Sequence, residues 1–187
     1  MNSKEHEANN LIKKAESKLN TGFFGSLFSS KISRLEEALD YFDKAANIYK
    51  LCKKWELAGD TYEKCGKLEE EMNEDAAKYY IEASHCYSFI CLNKSVNIKK
   101  KALEYYVKQG RFQLAGKLEK EIADKFEEEK EYKKAAESFK KAEEYFSMES
   151  LNSRSYQQTC SLKYADICCC INEKEAYPET ADVINYL

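Results

Sequence analysis

Ala135-Ala136-Glu137-Ser138-Phe139-Lys140-Lys141-Ala142-Glu143-Glu144-Tyr145-Phe146 alternates alanine and phenylalanine at steps of 4, 3 and 4. Such steps fall on one face of an α-helix. Small residues let a second helix approach, and the rings fill the groove beside them. Ala38-Phe42-Ala45-Tyr49 and Ala76-Tyr80-Ala83-Tyr87 repeat the pattern. Ala58-Tyr62-Cys65 keeps three positions and reaches Glu69 at the fourth, and Ser95-Lys99-Ala102-Tyr106 keeps the last two. Ala115 opens another copy, followed by Glu119, read as exposed or tolerated, and by Ile122-Phe126. Starts at 38, 58, 76, 95, 115 and 135 are 20, 18, 19, 20 and 20 residues apart. That period predicts helical hairpins stacked in series, about fifteen helical residues and a short turn per unit. The expected fold is all-α, a tetratricopeptide-like right-handed solenoid forming a twisted sheet of antiparallel helical hairpins. Trp55, Gly59 and Tyr62 match the W-x-x-L-G-x-x-Y spacing, with Ala58 where leucine is usual, over a longer hairpin period of 38 to 40.

Composition agrees with helices. Of 187 residues 34% are charged, and there are six glycines and one proline. Thirty basic residues face 33 acidic ones, so net charge gives no argument for nucleic acid. No apolar run is long enough for a transmembrane helix, and Met1-Asn2-Ser3-Lys4-Glu5-His6-Glu7 does not read as a signal peptide. The eight cysteines include no C-x-x-C pair and read as buried thiols of a reduced cytosol, with no metal expected. His6 and His85 have no ligand-spaced partners, Glu69-Glu70-Glu71 and Glu127-Glu128-Glu129 read as solvated runs, and there is no phosphate-binding glycine loop. Nothing calls for a catalytic residue or a cofactor, and the expectation is a non-enzyme.

Turns are expected at Asn73, Asn93, Gly110 and Asn152-Ser153. Gly59 and Gly116 instead fall inside helices, in the matching phrases Trp55-Glu56-Leu57-Ala58-Gly59 and Phe112-Gln113-Leu114-Ala115-Gly116. Mid-helix glycine costs about 1 kcal/mol against alanine, so two in one register predict close helix contact. After residue 150 the frame slips to Cys160-Tyr164-Ile167-Ile171, and Pro178 suits the first turn of another helix.

Ala8-Ile12-Ala15-Leu19 carries the frame backward, but it starts 30 residues before the next copy. The surplus is Thr21-Gly22-Phe23-Phe24-Gly25-Ser26-Leu27-Phe28-Ser29-Ser30, ten residues without a charge. The chain is therefore divided as a single helical-repeat domain: a first helix over 1–20, an apolar loop over 21–33 and hairpin repeats over 34–187. Four large apolar groups on a glycine- and serine-rich connector admit two readings. They fold back to cap the core, or they form an exposed finger for a membrane, with Lys18, Lys31 and Arg34 beside it to meet anionic headgroups.

Several of these residues resemble the alpha-type soluble NSF attachment proteins. They are Phe23-Phe24-Gly25-Ser26-Leu27-Phe28, Glu36-Glu37-Ala38, Lys44-Ala45-Ala46-Asn47-Ile48-Tyr49-Lys50, Trp55 with Ala58-Gly59, and Gly110-Arg111-Phe112. The resemblance implies a cytosolic adaptor, peripherally associated with membranes. Such an adaptor coats the four-helix SNARE bundle, of syntaxin-type and other chains, and recruits the NSF hexamer that pulls it apart in vesicle trafficking. It implies membrane contact through Phe23, Phe24, Leu27 and Phe28, and SNARE contact through Arg111, Lys117 and Lys163. Arg154 is the substitute for a family lysine near Thr159. The family is about half again as long, so the resemblance implies that NSF engagement and ATPase stimulation reside in a C-terminal bundle absent from these 187 residues. Two other readings fit the repeat alone: a generic tetratricopeptide-type module binding a peptide or chaperone tail, and a lipid or small-molecule carrier.

Overall fold

The computed structural model describes residues 3–20, 30–149 and 153–176. Among them every regular element is an α-helix: α1 Ser3–Leu19, α2 Lys31–Leu51, α3 Trp55–Met72, α4 Ala77–Tyr87, α5 Leu92–Lys108, α6 Phe112–Glu128, α7 Tyr132–Ser147 and α8 Arg154–Ala176. The all-α hairpin expectation holds. The chain divides into two compact units, 1–105 and 106–187.

The repeat frame is the core. Ala38, Ala58, Ala76, Ala115 and Ala135 are each fully buried, and Ser95 nearly so. Three glycines explain how the helices come so close. A Cβ added to Gly59 or Gly66 on α3 would stand 2.6 or 2.8 Å from the ring of Tyr87 or Tyr80 on α4. One on Gly116 of α6 would stand 2.9 Å from the Phe146 ring of α7. The rings of each second helix therefore rest on bare backbone of the first. Buried tyrosines keep their hydroxyls satisfied at the rim. Tyr49 donates to Asn9 at 2.6 Å, Tyr62 to Asn47 at 2.9 Å and Tyr87 to Asp60 at 2.6 Å.

In the first unit α1, α3 and α5 lie side by side, tied by Lys64–Glu16 at 3.4 Å, Lys94–Asp60 at 2.9 Å and Lys101–Glu63 at 3.4 Å. Helices α2 and α4 form the other layer, tied by Lys50–Glu82. In the second unit α7 packs against both α6 and α8.

Four turns share one device. Lys53, Asn73, Gly110 and Lys130 are left-handed, at φ between 55° and 69°. In each, the following amide bonds back five residues to a helix carbonyl: Lys54 to Tyr49, Glu74 to Glu69, Arg111 to Tyr106 and Glu131 to Phe126, at 2.8 to 2.9 Å. This is the Schellman closure. Gly110 and Asn73 suit it, whereas Lys53 and Lys130 hold a conformation that L side chains disfavour by about 1 kcal/mol.

Several sequence expectations need correction. The turn expected at Asn93 lies earlier, at Ser88–Cys91, and Asn93 belongs to the first turn of α5. Helix α2 starts at Lys31 rather than after 33, because Ser30 caps it by accepting from the Ser33 amide at 3.1 Å. For Glu119, read as exposed or tolerated, 3% exposure decides for toleration inside the repeat frame. Of the cysteines only Cys65, Cys86 and Cys160 are buried, while Cys91, Cys169 and Cys170 are exposed and Cys52 and Cys168 half-buried. Asn152 and the proposed helix from Pro178 lie outside the described residues.

Replacing Gly59 by alanine sets a propensity gain of about 1 kcal/mol against an overpacking cost of about 1–3 kcal/mol. Because the clash is with a buried ring, chemical denaturation should show net destabilisation for Gly59→Ala and Gly116→Ala. Lys53→Gly should act oppositely, gaining about 0.5–1 kcal/mol by relieving the left-handed turn. Thiol reactivity at pH 8 offers another check. Burial pushes Cys86 and Cys160 up to about 11, and Cys65 higher still. These three should react with a disulfide reagent only on unfolding, since the thiolate is the nucleophile, while Cys91, Cys169 and Cys170 react at once.

Candidate functional site

Helices α6 and α8 run in the same direction and meet along a seam. Near its start the Lys117 ammonium lies 5.4 Å over the Tyr156 ring, which stacks on Phe146 at 5.3 Å. Farther along, Lys163 bonds both carboxylate oxygens of Glu127, at 2.8 and 3.0 Å. The advance from 117 to 127 on α6 accompanies that from 156 to 163 on α8, which fixes the parallel sense. Between these contacts Lys120 pairs with Asp124 at 2.7 Å. Both act on the buried Cys160 thiol, Lys120 lowering and Asp124 raising its pKa within the larger upward push of burial. The seam thus carries Lys117, Lys120 and Lys163 against Asp124 and Glu127.

Each end of α6 is held by its neighbours. Arg111 stands at its N-cap without a side-chain cap. The Gln113 amide instead donates to Glu149 beyond the end of α7, at 3.2 Å. The Arg111 guanidinium lies 4.8 Å over the Tyr106 ring and donates to Gln109 at 3.3 Å. Arg154 opens α8 and is exposed. It stands about 200° around the helix from Tyr156, off the seam. Of the four cations singled out in sequence, the fold brings Lys117 and Lys163 onto one surface, with Arg111 just before α6 and Arg154 on another side of α8.

Two partners were missed. Glu127 was read as part of a solvated run, yet it is the counter-charge of Lys163. Its hydrogen bond is the main cause holding the Lys163 ammonium above the ordinary lysine value. That pairing favours the folded state below the ordinary lysine pKa and fades as pH rises through the raised one. Lys120, three residues after Lys117, was legible as an i,i+3 neighbour on the same helix face. Among the described residues no group of three or more His, Cys, Asp or Glu could hold a metal ion. No described helix is long and apolar enough to cross a membrane. Phe23, Phe24, Leu27 and Phe28 lie outside the described residues. On either side of them, Leu19 and Ile32 are 38% and 58% exposed.

The model of the family described as "Soluble NSF attachment protein, SNAP" matches residues 6–185. The chain belongs to the soluble NSF attachment protein family. It is similar to the alpha-soluble NSF attachment protein of Vitis vinifera, 35% identical over 156 residues that span 82% of this chain and 51% of the relative. It is similar also to the human alpha-soluble NSF attachment protein, 30% identical over 185 residues that span 96% of this chain and 61% of the relative. The Saccharomyces cerevisiae alpha form is 32% identical over 165 residues. The chain spans about half to three-fifths of the length of these relatives. Within the family match the α6–α8 seam is a half-solvated surface on which Lys117, Lys120 and Lys163 outnumber Asp124 and Glu127, with the Cys160 thiol buried beneath it.

A double-mutant cycle on Lys163→Met and Glu127→Gln should give a coupling of about 0.5 kcal/mol, small because both side chains are partly solvated. Raising the salt concentration in the same thermal melts should shrink it further.

Proposed function

We propose that this chain is a non-catalytic adaptor that lies along an assembled SNARE four-helix bundle in vesicle trafficking. The bundle is contacted through Arg111, Lys117, Lys163 and Arg154, and the membrane through Phe23, Phe24, Leu27 and Phe28. The adaptor thereby presents the bundle to the NSF ATPase, as a cytoplasmic protein peripherally attached to membranes. The observation that carries this reading is the family match over residues 6–185. The charges on the α6–α8 seam support it in kind. Acidic coiled coils are met by local cations, which steer encounter and fix register at modest net affinity. Lys163 is already paired to Glu127, so an acidic partner exchanges one carboxylate for another.

Pulldown on an assembled SNARE bundle across a salt series tests the seam. Arg111→Gln with Lys117→Gln should weaken capture by roughly two- to fivefold per charge, and salt should weaken the wild type. Glu127→Gln should strengthen capture by releasing Lys163. Binding indifferent to salt and to all three changes, in folded variants, sinks the electrostatic reading. Flotation with neutral vesicles tests the apolar contact: Phe23→Ser with Phe24→Ser should abolish it, and unchanged flotation of the folded variant refutes the finger.

A further inference from the structure

Where α1 ends and α2 begins, the first unit holds a cavity of about 280 Å3. Three cations and one carboxylate line it: Lys18 from the last turn of α1, Lys31 and Arg34 from the first turn of α2, and Glu71 from the last turn of α3. Leu19, Leu35 and Leu68 supply an apolar wall. The volume falls below the range of drug-sized sites and suits a headgroup rather than a whole lipid. Leu19 and Leu68 also wall a neighbouring cavity of about 380 Å3 whose charged residues are Glu16, Lys64 and Lys67.

We propose that the smaller cavity is a receptor for a phosphomonoester, presented at the membrane by a lipid headgroup. The proposal rests on the membrane contact argued above and adds a ligand chemistry to it. Three features converge on it. A phosphomonoester carries nearly two charges and three acceptor oxygens at neutral pH, and three cations drawn from two helices match that count. Arg34 supplies the forked donor that suits phosphate. Finally, α2 has no acidic residue in its first turn and carries Lys31 there instead, so the positive end of its dipole adds to the cations.

Counter-charges are present and displaceable. Lys18 pairs with Glu37, and Lys31 with Glu71 at 2.7 Å, all four side chains being 40% exposed or more. Exposed ion pairs of this kind contribute little to stability, so a doubly charged oxyanion can replace the carboxylates. The acidic run Glu69-Glu70-Glu71 at the end of α3 opposes any diffuse attraction to anionic surface. A preference for phosphate must therefore come from the local set of donors.

Flotation is measured on three vesicles: phosphatidylcholine alone, phosphatidylcholine with phosphatidylserine, and phosphatidylcholine with phosphatidate at the same surface charge. Calorimetry with inorganic phosphate and with glycerol phosphate runs in parallel. Wild-type protein should prefer the phosphatidate vesicle over the phosphatidylserine vesicle by roughly tenfold. Arg34→Gln and the pair Lys18→Gln, Lys31→Gln should erase that preference while keeping binding to phosphatidylcholine. Circular dichroism checks that each variant is folded, and Arg34→Lys should recover only part of the preference, since it keeps charge and loses the fork. Equal binding to the two anionic vesicles overturns the inference and leaves the apolar contact standing. A phosphatidate preference that survives Phe23→Ser with Phe24→Ser supports the cavity while counting against the apolar finger. Calorimetric binding of inorganic phosphate without any vesicle preference overturns the lipid assignment.

Discussion

The structure depends on one contact: an aromatic ring laid across helix backbone that has no side chain in the way. Tyr87 over Gly59, Tyr80 over Gly66 and Phe146 over Gly116 draw paired helices closer than ordinary side chains permit. Alanines at the repeat starts extend the same close approach along each hairpin. Large buried rings, Tyr62, Tyr80, Tyr87, Phe42, Phe139 and Phe146, then fill the core of a chain one-third charged. With the hairpins so closed, charged residues are left at the layer edges, where several pair between helices two apart in sequence.

That division explains how far the sequence could be read. The repeat was legible because its requirement is steric and local: alanine, serine or glycine at fixed steps from a ring. For Glu119 the frame left two readings, exposed or tolerated inside, and its burial selects the second. The turns at Lys53 and Lys130 carry no glycine or asparagine, so nothing marks them before the backbone is seen. Asn93 gave the opposite error, a turn-forming residue placed inside a helix. At the candidate site the cations were named through family resemblance, while their partners were not. Lys163 and Glu127 are 36 residues apart, and only the parallel packing of α6 and α8 brings them together.

Charge neutralisation recurs at both surfaces of interest. On the α6–α8 seam Glu127 and Asp124 offset Lys163 and Lys120, and at the α1–α2 junction Glu37 and Glu71 offset Lys18 and Lys31. At both surfaces much of the positive charge is thus already met by carboxylates. A partner gains only the difference between its own acceptors and the carboxylates it displaces, which favours geometry over total charge. This also keeps a family member with nearly balanced charge from adhering to every acidic surface it meets.

The ring-on-glycine contact has a consequence for how the chain reaches this state. Its partners are 28, 14 and 30 residues apart, as read from Gly59–Tyr87, Gly66–Tyr80 and Gly116–Phe146. Each hairpin can therefore find its own pairing before any distant segment arrives, the condition for rapid folding. It also sets the alignment. A slip of one residue would bring Asp60, Lys67 or Lys117 under a ring that only glycine can seat. Two antiparallel helices of similar composition would otherwise have several near-equal ways to dock. The glycines leave one, so the notch that weakens each helix alone is what selects its partner's position.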